Sequence, residues 1–166
     1  MNTDAHRSYR AVWGRPLFWT SVIVSVIAMV GAVSLAASLE GAQRWLGLLP
    51  PVLVGASALF CIRGYALDGG TLLIRRLLWT TRISLSGLQS AALVPKAMNG
   101  SLRTCGNGGL FSFTGWYWNR SLGSYRAWVT DLPNTVVLRV GDRTLVLSPE
   151  PAEAFVKDIQ SRVPRS

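Results

Sequence analysis

Histidine, cysteine and lysine are nearly missing from this chain of 166 residues, which has one, two and two of them. The sole histidine, His6, lies in the N-terminal tail, so neither a histidine base nor a histidine metal site can be assembled further along. Cys61 falls in an apolar run and Cys105 in a glycine-rich stretch. A disulfide between them is not expected, because one thiol would sit in a bilayer. Two unpaired thiols suit a reducing compartment. Acidic residues are also scarce, eight against seventeen basic, for a net charge of +9. Asp131 and Asp142 read as turn residues rather than as an acid pair. The glycines around position 106 are followed by no Lys-Ser/Thr and stand in no strand–loop–helix frame, which excludes a phosphate loop. No catalytic, cofactor-binding or metal-binding residue is assigned, and the chain is not expected to be an enzyme.

Charge is absent altogether from residues 17–39, twenty-three positions of LFWTSVIVSVIAMVGAVSLAASL. As a helix this run extends about 34 Å, against a hydrocarbon core of roughly 30 Å. It is too long for the apolar core of a signal peptide, and Ala36-Ala37-Ser38 is a poor cleavage site. A second apolar run, residues 45–62, follows after Glu40–Arg44. Pro50 and Pro51 interrupt it, so a kinked second helix is expected, with a re-entrant segment as the alternative. The two runs predict a transmembrane hairpin over 17–62. Gly31 and Gly55 are candidates for close approach of its helices. Arg7, Arg10 and Arg15 precede the hairpin, Arg63, Arg75, Arg76 and Arg82 follow it, and only Arg44 lies between. This asymmetry predicts a cytoplasmic tail over 1–16 and a cytoplasmic domain over 63–166.

That domain reads as short β segments. Asp68-Gly69-Gly70 turns into a strand at Thr71–Arg75, and further strands are expected near 77–85, 88–94, 124–131, 135–140 and 143–147. Gly141-Asp142 joins the last two as a two-residue hairpin. Ser148 as N-cap and Pro149 at the first position predict a closing helix, with Ala152, Phe155, Val156, Ile159 and Val163 on one stripe. The fold class is α+β: a two-helix transmembrane hairpin, then an antiparallel β-barrel or sandwich of about seven strands capped by a C-terminal helix.

Residues 105–131 combine five glycines with seven aromatics. One reading is a long loop over the barrel mouth with its rings buried. The other has rings such as Trp116 and Trp118 meeting lipid or a partner, with Arg103, Arg120 and Arg126 supplying charge. From Tyr65 to about Val163 the chain resembles the bacterial PH-domain (pleckstrin-homology-like) families. The features that carry the resemblance are Tyr65–Ile74, Gly109-Leu110-Phe111 with Gly115, Gly123 to Asp131, and Leu147-Ser148-Pro149-Glu150-Pro151 to Phe155. The resemblance implies a PH-like fold, often carried behind a membrane anchor, and supplies no ligand or catalytic residue.

The expected function is a non-enzymatic interaction or scaffolding module at the cytoplasmic face of a bacterial inner membrane. Its partners would be membrane lipid and an unidentified protein or a second copy of the chain. Nucleic acid is not expected, since neither a basic helix nor an RNA-binding aromatic motif is present. The alternative is recognition of an anionic lipid or small ligand. Candidate contacts for either are Arg75, Arg76, Arg82, Arg103, Trp116, Trp118, Arg120 and Arg126.

Overall fold

The computed structural model describes residues 7–161. The first element is a strand, β1 (Arg7–Ala11), where a tail was expected. It pairs antiparallel with β2 (Ile62–Asp68), Arg10 lying opposite Gly64. Its other neighbour is the two-residue β11 (Pro149–Glu150). The segment between β1 and β2 is helical. α1 (Arg15–Ser38) takes up the first apolar run, with Pro16 in its opening turn where no N–H is needed. Among the described residues it is the one helix long and apolar enough to cross a membrane.

The second apolar run does not form the expected helix over 45–62. It divides into a 3-10 helix (Gly41–Leu48) and α2 (Leu49–Ala58). The prolines explain the break. Without N–H groups, Pro50 and Pro51 cannot bond back to the carbonyls of residues 46 and 47, so the α-helix starts at their position and the turn before it tightens. Packing against α1 is made at Gly47, not at Gly31 or Gly55, whose missing side chains face open space. A Cβ at Gly47 would come within 2.8 Å of the Ala32 carbonyl oxygen.

Two sheets follow. The first is antiparallel, in the order β11-β1-β2-β3-β4, with β3 (Thr71–Arg76) and β4 (Thr80–Ser84). The second has the order β5-β9-β10-β8-β7-β6 and holds one parallel pair, β8 with β10. Its strands are β5 (Leu88–Leu93), β6 (Leu102–Gly108), β7 (Phe113–Asn119), β8 (Gly123–Val129), β9 (Val136–Val140) and β10 (Arg143–Leu147). The eleven strands among the described residues do not close a barrel; they form two facing sheets with a gap along one side. The turns at Gly69-Gly70 and Gly141-Asp142 are as the sequence predicts, with Gly69, Gly70 and Gly141 at positive φ.

Residues 105–131 are not a loop over a barrel mouth. They form most of a three-stranded meander, β6-β7-β8. Gly106 and Gly115 lie directly opposite each other at φ +116° and +140°, and a Cβ on either would run into the facing strand's backbone. Only glycine permits so close an approach there.

Alternation gives each face of the second sheet its own role. Trp128, Val136, Leu138, Leu145 and Leu147 turn toward the first sheet and join Tyr65, Leu67, Leu72 and Ile74 in the main core. Tyr125, Ala127, Val129, Val137 and Val146 turn the other way, where Ala97 and Met98 cover them. The closing helix, α3 (Ala152–Gln160), starts three residues after the predicted Pro149, because residues 149–150 extend the first sheet beside β1. Phe155 and Ile159 are fully buried, as the stripe predicts; Val163 lies outside the described residues. Ser148 is therefore a clamp rather than a helix cap. Its Oγ accepts the Thr130 and Asp131 N–H groups at 2.8 and 3.2 Å.

Candidate functional site

The helices and sheets meet at one end of the body. Ile62 opposes Arg76, so β2 starts beside the β3–β4 turn, which the Arg76 N–H closes by donating to the Trp79 carbonyl at 2.9 Å. The β6–β7 turn reaches the same end: Phe111 N–H donates to Ser21 Oγ in α1 at 3.0 Å, and Ser112 Oγ donates to the Phe60 carbonyl at 3.1 Å. Gly14 N–H donates to the Thr130 carbonyl at 2.9 Å, just before α1.

The gap between the sheets opens here, because the first sheet ends at β4 while the second continues through β8, β7 and β6. Charge collects in it for a reason of register. Leu72, Ile74 and Arg76 share the inward face of β3, so the strand's third core position is a cation. Arg126 and Trp128 share the inward face of β8, and Trp116 lies directly opposite Arg126 on β7. The Arg126 guanidinium carbon stands 4.7 Å from the Trp128 ring centroid and 5.6 Å from that of Trp116. Arg76 is flanked by Phe60 and Trp79, at 5.7 and 5.5 Å. Ring faces attract cations, by about 0.5–1 kcal/mol at exposed sites and more when desolvated.

Two cavities share Trp116 and Arg126. One, of about 620 Å³, is lined by Phe60, Arg76, Arg103, Trp116 and Arg126, with no carboxylate among the described residues of its wall. The other, of about 520 Å³, takes in Arg82, Arg126, Arg143 and Trp128, with Asp142 as its one acid. Burial, and then the Arg126 charge, lower the pKa of Arg76 from the ordinary arginine value. Among the described residues, the buried side-chain nitrogens left without a partner are Arg76 Nε and Trp128 Nε1. Both are donors.

Of the eight candidate contacts, five therefore converge on the gap: Arg76, Arg82, Arg103, Trp116 and Arg126. Arg75 instead lines a third cleft with Arg10 and Arg63, which Arg76 and Trp79 also border. Trp118 is exposed on β7, and Arg120 is exposed in the β7–β8 turn; neither lines these cavities. Phe60, Trp79 and Arg143 also border the gap, and nothing in the sequence around them signals it. Arg76 did carry a signal, as a charge on the inward phase of an apolar alternation.

A family model for the bacterial PH domain matches residues 63–163. The chain belongs to the bacterial PH domain family. No curated protein and no solved structure matches it. The matched PH domain covers β2 through α3 and includes every arginine of the gap, whereas β1, α1, the 3-10 helix and α2 precede it. The family points to a non-enzymatic interaction module.

Proposed function

We propose that the chain is a membrane-anchored, non-enzymatic PH-domain module that docks a partner protein at the cytoplasmic face of the bacterial inner membrane. One observation carries the anchoring: β1 and β2, on either side of the helical segment, are hydrogen-bonded neighbours in one sheet. If α1 crosses the bilayer, the chain has to come back before Ile62. Residues 41–58 have the reach for the return, since eight residues of 3-10 helix and ten of α-helix extend about 31 Å, against a core of roughly 30 Å. The basic residues at both ends of the segment favour the cytoplasmic side for the domain.

For docking, β6 is the available edge of the second sheet. At the other edge of its sheet, the Gln160 amide of α3 reaches the Ala91 carbonyl of β5 at 2.8 Å. β6 is seven residues long and exposed along most of its length, a suitable template for an extended segment of a partner.

Topology is tested by labelling with a membrane-impermeant maleimide. A cysteine placed at Ala42 should react from outside intact cells, and Cys105 only after the membrane is inverted. Labelling of Cys105 from outside, or release of the chain by carbonate, defeats the anchoring. Docking is tested with a photocrosslinker at Leu102 of β6 and, as control, at Gln89 of β5. A discrete adduct from Leu102 alone is expected, and identical products from both positions overturn it.

A further inference from the structure

Arg76 is the most costly side chain in the gap. It is 9% exposed, its Nε has no partner among the described residues, and its nearest flanks are two rings rather than a carboxylate. A buried cation is destabilising unless it is paired. Yet Arg103 and Arg126 line the same cavity, adding two like charges where a carboxylate would be expected. Three guanidinium forks around an open volume are built for a tetrahedral oxyanion, which offers several acceptors to planar bidentate donors. The facing pair Gly106 and Gly115 lies in the same wall and lets β6 and β7 come close together there. Phe60 and Trp116 supply an apolar flank for whatever carries the anion, and at about 620 Å³ the cavity has room for more than a bare ion.

We propose that this cavity binds a phosphate group, as a monoester or diester, with Arg76 as its buried anchor and Arg103 and Arg126 as the forks that close on it. Two carriers share that chemistry. Ser57 lies in the last turn of α2 and Phe60 just beyond it, so a phospholipid headgroup can reach the cavity from the bilayer surface; a soluble phosphate ester can enter from the open gap. The site goes beyond docking at β6 and does not depend on it.

The test uses the full chain in maltoside micelles, which contain no phosphate. Glycerol 3-phosphate is titrated by calorimetry in one arm. In the other, micelles are doped with phosphatidate or phosphatidylglycerol, and retained lipid is counted by native mass spectrometry. Saturable binding of one ligand per chain is expected in at least one arm. The first arm alone identifies a soluble ester, the second alone a lipid phosphate, and both together recognition of the phosphate itself. Arg76→Gln and Arg126→Gln should each weaken binding roughly tenfold or more, while Arg120→Gln leaves it unchanged. Arg103→Gln, at an exposed position, gives the same reading should the Arg76 variant fail to fold. Absence of saturable binding in both arms, or wild-type affinity in the Arg126 and Arg103 variants, overturns the site. Neither result bears on the maleimide topology or on crosslinking from Leu102.

Discussion

α1 and the second sheet are made of much the same residue types and treat them in opposite ways. Ile27 and Val33 of α1 are 65% and 64% exposed, whereas Leu138 and Val146 of the sheet are fully buried. In water, exposing such a run forgoes the main favourable term of folding. α1 satisfies its backbone within itself and leaves its apolar surface uncovered by the other described residues, which suits the membrane span proposed for it. The sheets satisfy theirs between strands and need each other to stay dry. Each region is stable for its own reason, so each can be damaged separately.

Trp128→Ala should do most harm. It empties the centre of the main core and removes a ring from Arg126, at a cost of about 3–5 kcal/mol read by denaturant unfolding, with membrane retention unchanged. Val26→Asp is the converse experiment. A carboxylate near the middle of α1 costs about 2.5–3.5 kcal/mol of insertion, so carbonate extraction should rise while the isolated melting of the sheets is unaltered. Gly47→Leu tests the seam between the helices. Its side chain meets the Ala32 carbonyl and Ala36, and overpacking of about 1–3 kcal/mol should loosen the helical segment alone.

The smallest effect expected is Tyr9→Phe, about 1 kcal/mol for the hydrogen bond its hydroxyl donates to Asp158 of α3. It also alters the alkaline limb. Burial pushes Tyr9, Tyr65 and Tyr117 each up to about 12 from an ordinary 10, and in Tyr9 bonding to Asp158 adds to this. A raised folded-state value means these groups stabilise the fold fully below pH 10 and lose that contribution as pH rises to about 12. Alkaline unfolding should therefore be steep over that interval, and less so in Tyr9→Phe or Tyr65→Phe. An unchanged slope in both variants would contradict it.

Local signals made part of this legible in the sequence. The uncharged run, the Gly69-Gly70 and Gly141-Asp142 turns and the Phe155–Ile159 stripe each depend on neighbours a few residues away, and each is found where it was read. β1 escaped because its partners are far along the chain and five residues with two arginines carry no alternation of their own. β6 and β7 escaped because their glycines look like loop, although Gly106 and Gly115 are there to let two strands come close. The gap was half legible. The arginines could be named as contacts, but their meeting depends on a second sheet that outruns the first, and no spacing along the chain encodes that.

The position of β1 also sets an order of assembly. A ribosome delivers this strand well before either neighbour: β2 follows the whole helical segment, and β11 follows the strands of both sheets. Residues 7–11 must wait for both neighbours while the helical segment and the sheets are synthesised. Closing the sheet around them ties the helical segment to the sheets at two points in the backbone instead of one.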